Sequence, residues 1–256
     1  MRRARRSRSS FFEQLEPRRV LSGLTSLTLI GTDGDDVFVA RPGLAILNGV
    51  EYLGDLITFD GRGGRDDVSL YGSAGNDALI ARPMGAEMTG HGFSVKVTNA
   101  EIIHCYAGAG GLDTARLYDS SGDDLLSSGD GWVKLTGDSY FLRAKFFAEF
   151  EAFATEGTDT AHLEDSAGDD VFNAWAAEAT LVNTSSLRVK GFDRVHAYAQ
   201  HGGNDVAYLH GSSGDDSLTA ERNWAELAVG NVEMRTAGFE EVHAFGYAGE
   251  DSARLY

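Results

Sequence analysis

The stretch GSSGDDSLTA, Gly211 to Ala220, reads as one tight turn followed by a short strand. Glycine supplies positive φ, aspartate caps nearby amides, and the apolar Leu218 and Ala220 follow the second aspartate at +2 and +4. Four further stretches have the same form: GTDGDDVFVA from Gly31, GSAGNDALIA from Gly72, DSSGDDLLSS from Asp119 and DSAGDDVFNA from Asp165. The second acidic residues, Asp36, Asp77, Asp124, Asp170 and Asp216, lie 41, 47, 46 and 46 residues apart. A second column, Asp66, Asp113, Asp159, Asp205 and Asp251, keeps step at 47, 46, 46 and 46. Two columns in phase define an internal repeat, which takes precedence over any local motif.

Other positions share the period. Met88, Leu135, Leu181 and Leu227 form one column, and Gly90, Gly137, Asn183 and Gly230 form another at an expected turn. Apolar residues follow the first aspartate at the same offsets, as in Ala115 and Leu117 after Asp113. That spacing of two puts both side chains on one face of a strand. No segment carries a sustained helical stripe, and both 139–153 and 231–245 read as strands. An average of about 11.5 residues per strand and turn gives four such segments per unit. The expected fold is all-β: a right-handed parallel β-solenoid of ~46-residue repeats, about two coils each, in which stacked units share a core that none closes alone. A propeller-like array of four-stranded blades is the alternative. The units run about 31–60, 61–107, 108–154, 155–199 and 200–246, with a partial unit at 247–256, so that 23–256 form one repeat domain.

Residues 1–22 differ. Residues 1–21 carry seven arginines against Glu13 and Glu16, a balance of +5, whereas the whole chain carries −17 and the remainder therefore −22. Phe11 and Phe12 run at once into EQLEPRR, so the apolar core of an ordinary secretory signal is missing. The segment Leu15, Glu16, Pro17, Arg18, Arg19, Val20, Leu21 resembles the LEPR-type leader of large bacterial surface proteins, which implies a sorting segment and an extracellular or cell-surface location. The acidic body argues against nucleic acid as a partner. One cysteine, Cys105, allows no intrachain disulfide, and no apolar run approaches bilayer length.

The turns G-x-x-G-x-D-x-U-x, best kept at Gly31–Phe38, Gly72–Leu79 and Gly211–Leu218, resemble the calcium-binding repeats of RTX (hemolysin-type) proteins. Thr32, Ser73 and Ser212 stand where that family has glycine, and the family's nine-residue spacing is absent. The resemblance implies Ca2+ at the acidic turns. Its candidate ligands are Asp35, Asp36, Asp66, Asp77, Asp113, Asp123, Asp124, Asp159, Asp169, Asp170, Asp205, Asp215, Asp216 and Asp251. Calcium takes six to eight oxygens, so one such turn needs water to complete the shell and is expected to bind weakly. With two coils per unit, each acidic turn is expected to face a neighbour built of other residues. Plain turn chemistry explains the same aspartates without a cation.

Other constellations carry less. His104, His196 and His243 share a column in which Glu151 replaces one histidine; residues two coils apart cannot converge on zinc, so a solvated ladder is expected. Trp132, Trp175 and Trp224 follow their acidic turns and offer a carbohydrate-stacking face as an alternative function. Polysaccharide-degrading enzymes on β-helices need one unrepeated coil, and no unit stands out, so the chain is read as a non-enzyme. The expected role is structural or adhesive, with a second copy or other surface proteins at the solenoid ends, and polysaccharide, as candidate partners.

Overall fold

The computed structural model describes residues 23–256. The basic leader at 1–22 lies outside the described residues. Within them every regular element is a strand, and the strands form two sheets, of twelve and fourteen strands. The chain crosses from one sheet to the other at each acidic turn, so the sheets face each other as the two walls of a β-solenoid. Continuous sheets of this length exclude separate propeller blades.

One unit shows how the path is built. Asp67–Tyr71 lies in the fourteen-stranded sheet. The turn at 72–77 carries the chain to the other sheet, where Ala78–Arg82, Gly85–Gly90 and Phe93–Thr98 form an antiparallel meander. Ile102–Tyr106 then returns to pair in parallel beside Asp67–Tyr71. The unit thus holds five strands, where the average segment length had suggested four. The additional strand is hidden because meander strands are joined by turns of only two or three residues, such as Gly131 at φ +70°. An odd strand count has a topological effect: the next meander, Leu125–Gly129, Trp132–Gly137 and Tyr140–Lys145, falls in the opposite sheet. The two segments expected as strands, 139–153 and 231–245, are each two strands joined by a short turn.

The core lies between the sheets and follows the +2 and +4 positions. Phe38 and Ala40 pair with Val68 and Leu70, Leu79 and Ala81 with Ala115 and Leu117, and Phe172 and Ala174 with Ala207 and Leu209. All are buried. In the last two sets a large side chain on one rung faces a small one on the next, which fills a narrow interior without voids. Phe38 and Phe59 stack across the two sheets with centroids 4.2 Å apart. Ser128 occupies the position of Ala40, Ala81 and Ala174; it is buried and its hydroxyl has no hydrogen-bond partner.

The acidic turns stack on two opposite edges. A glycine two residues before each first-column aspartate has positive φ, from +88° at Gly111 to +132° at Gly203. At Gly157 an added Cβ would lie 2.4 Å from the carbonyl oxygen of Gly122 in the neighbouring turn. The turns therefore touch backbone to backbone, a distance only glycine allows.

Candidate metal centre

Each second-column aspartate first closes its own turn. Asp36, Asp77, Asp124, Asp170 and Asp216 accept the amide of Thr32, Ser73, Ser120, Ser166 and Ser212 at 2.6–2.9 Å. The hydroxyl at that position also donates to the aspartate and accepts the amide of the following glycine. This explains why serine or threonine stands there.

The turns are next joined rung to rung. The amides of Asp36, Asp77, Asp124, Asp170 and Asp216 donate to Oδ1 of Asp66, Asp113, Asp159, Asp205 and Asp251 at 2.8–3.0 Å. In return, Asp35, Asp123, Asp169 and Asp215 accept the amides of Arg65, Thr158, Asn204 and Glu250, and Asn76 accepts that of Leu112. Every acidic turn is thus held to its neighbour by a reciprocal clasp. The expectation that each turn would face a neighbour of other residues is overturned. The two columns are eleven residues apart within a unit, but those residues sit on opposite edges, and contact is made across 30–36 residues. The ladder continues to Glu101, Asp193 and Glu240, which accept the amides of Asp66, Asp159 and Asp205.

Burial divides the fourteen candidates. Asp36, Asp66, Asp77, Asp113, Asp124, Asp159, Asp170, Asp205 and Asp216 are buried, whereas Asp35, Asp123, Asp169, Asp215 and Asp251 are exposed. Removal from water raises the carboxyl pKa of Asp66, Asp113 and Asp205 above the ordinary range.

Carboxylates converge at two places. Asp119, Asp124 and Asp159 form one buried triad and Asp165, Asp170 and Asp205 the other, each with one oxygen per residue within 4.8 Å of the others. Asp119 and Asp165 had not been among the candidates. They stand where Gly31, Gly72 and Gly211 stand in other turns, and the departures DSSGDD and DSAGDD were the signal in the sequence. At those glycines a side chain would meet the turn aspartate, with an added Cβ 2.4–2.5 Å from its Oδ2. In the first triad Asp119 instead accepts the amide and hydroxyl of Thr155, at 2.7 and 2.9 Å. Tyr140 donates its hydroxyl to Asp124 Oδ1 at 2.9 Å. Burial raises the pKa of Asp119, and burial with the charges of Asp119, Asp124 and Asp193 pushes Asp159 up to about 6. Asp159 Oδ2 is buried without a hydrogen-bond partner.

These residues fit a hard divalent cation. The donors are all oxygen, which suits calcium or magnesium rather than zinc. Three carboxylates at close range form a charge cluster that a cation would neutralise. Among the described residues, Asp36, Asp77 and Asp216, with glycine at the preceding key position, have no third carboxylate in such a cluster.

The remaining constellations disperse. His104 and His196 lie in the fourteen-stranded sheet and His243 in the other; His196 stacks on His162 at 5.4 Å. Trp132 and Trp224 lie in the fourteen-stranded sheet and Trp175 in the twelve-stranded one. Trp175 stacks on His210 at 4.5 Å, and the Arg235 guanidinium covers Trp224 at 4.6 Å, so the three do not form one stacking face. No family model matches the chain, and no curated protein matches it.

Proposed function

We propose that the chain is a non-catalytic structural or adhesive repeat module of an exported or cell-surface protein, with acidic edges that take a calcium-type divalent cation. The observation that carries this reading is the reciprocal clasp. Unit after unit, the repeated aspartates are engaged as acceptors for main-chain amides, which is a scaffold's use of a carboxylate. Where a third carboxylate joins them the donor set becomes that of a hard-cation site, and the RTX-like form of the turns points to calcium. An extracellular setting supplies calcium at millimolar level, which suits a site of modest affinity. The LEPR-like leader and the strongly acidic body support export and a surface location. Self-association through the solenoid ends belongs to the same proposal, supported by the outermost strand Val50–Leu53 of the fourteen-stranded sheet, which exposes Val50 and Leu53.

Thermal melting of the full chain tests this reading, first in EDTA and then in calcium up to several millimolar. A rise in melting temperature with calcium at unchanged β content is expected. Identical melts in both conditions would reduce the acidic turns to turn chemistry alone.

A further inference from the structure

The two triads are built from matching positions of successive units, yet their surroundings differ. At the second, the His201 ring lies against the site: its Nδ1 is 2.5 Å from Asp165 Oδ1. Asp165 Oδ2 also accepts the amides of Gln200 and His201, at 2.7 and 2.8 Å. Asp165 therefore meets three donors, one of them the His201 imidazole, whose side chain is 53% exposed. At the first triad the corresponding place is taken by the Thr155 hydroxyl. A hydroxyl rotates, carries one proton, and keeps lone pairs that can face a cation. Among the described residues, no Lys, Arg or His side chain pairs with Asp119, Asp124 or Asp159. The fully buried Asp159 Oδ2 in this triad has no donor at all.

We infer that a single calcium-type divalent cation binds this chain, at Asp119, Asp124 and Asp159, and that the Asp165, Asp170 and Asp205 triad is closed by the His201 side chain. The inference rests on the cation-binding reading above and narrows it to one site and a stoichiometry of one. It also assigns His201 a defined role: it occupies the ligating oxygen of Asp165 that a second cation would need. Tyr140, bonded to Asp124, places a phenol beside the open site and none of the hydrogen bonds at Asp170 comes from a tyrosine.

The test is calorimetric titration of the full chain with Ca2+, paired with tyrosine-excited luminescence of Tb3+ as the probe ion. One equivalent is expected for the parent chain. Asp119→Gly and Asp165→Gly are the informative variants, because each restores the glycine found at Gly31, Gly72 and Gly211 and so keeps the fold. D119G is expected to weaken binding at least about tenfold, since affinity follows ligand charge count; D165G is expected to leave it unchanged. H201A is expected to raise the stoichiometry from one to two. Y140F is expected to lower Tb3+ emission while one equivalent still binds. Two equivalents in the parent chain, or loss of binding in D165G but not D119G, overturns this inference and leaves the broader reading intact. No binding to the parent chain overturns both.

Discussion

The carboxyl of Asp159 offers the sharpest quantitative test. It is buried within 4.8 Å of two other carboxylates, and these surroundings lift its pKa from 3.8 to about 6. The scale is reasonable: two unit charges at that distance repel by about 3.5 kcal/mol at an effective dielectric of 20. The sign follows from proton uptake. Below pH 3.8 the group is protonated folded or unfolded and contributes nothing to the pH dependence. Between 3.8 and 6 the folded chain holds the proton more tightly, so stability falls as pH rises. Above 6 the full penalty is present, about 3 kcal/mol in cation-free protein. Asp159→Asn removes the ionisation but keeps an Oδ1 to accept the Asp124 amide. In EDTA, urea unfolding should find the variant close to the parent near pH 4 and more stable by up to about 3 kcal/mol near pH 7.5. Millimolar calcium should narrow the gap, because only the parent gains from the cation. Taking the difference between the two proteins cancels the other titrating groups. A difference that stays flat from pH 4 to 7.5 in EDTA would show that Asp159 ionises normally and refute the argument.

Ser128→Ala should stabilise the chain by about 1 kcal/mol, because it removes a buried unpaired hydroxyl at a position otherwise held by alanine; chemical denaturation reads it directly. Gly157→Ala should cost at least about 3 kcal/mol, since φ is +119° and the new Cβ would overlap the Gly122 carbonyl; a melting temperature within a degree of the parent would contradict the backbone contact. Asp77→Ala should cost about 3 kcal/mol through the amide and hydroxyl bonds from Ser73. Asp77 belongs to neither triad, so that loss should be equal in EDTA and in calcium.

Much of the architecture was legible because it rests on local chemistry. The +2 and +4 apolar pairs fix which face of each strand is buried, and Asp36 and its counterparts mark turns through bonds that reach only four residues. What was not legible depends on which rungs touch. Asp66 and Asp77 lie only eleven residues apart in the sequence, but a strand crosses between them and each meets the other column on a neighbouring turn. The central meander strand showed itself as the column Met88, Leu135, Leu181 and Leu227, yet an averaged segment length absorbed it. Asp119 and Asp165 were overlooked because aspartate in a turn is ordinary. Their importance is visible only against the glycines that other units carry at the same place.

The odd number of strands per unit also governs how charge accumulates. With an even number, equivalent aspartates would stack along one edge as an unbroken acidic column, each repelling its neighbours. With five, successive units deliver their turns to alternate edges, and meander hairpins interrupt each edge. The column is cut into short runs: Asp36, Asp66 and Glu101; Asp77 and Asp113; Asp124, Asp159 and Asp193; Asp170, Asp205 and Glu240; Asp216 and Asp251. Main-chain amides engage every carboxylate of these runs, while Asp66 Oδ2 and Asp159 Oδ2 are buried without a donor. Among the described residues a third carboxylate completes a cluster that could hold a metal ion at two places, through Asp119 and Asp165. At Asp165 the chain supplies His201 as well. The turns are thus clasped by main-chain amides in every unit, and the carboxylate triads arise from a departure from the repeat, not from the repeat itself.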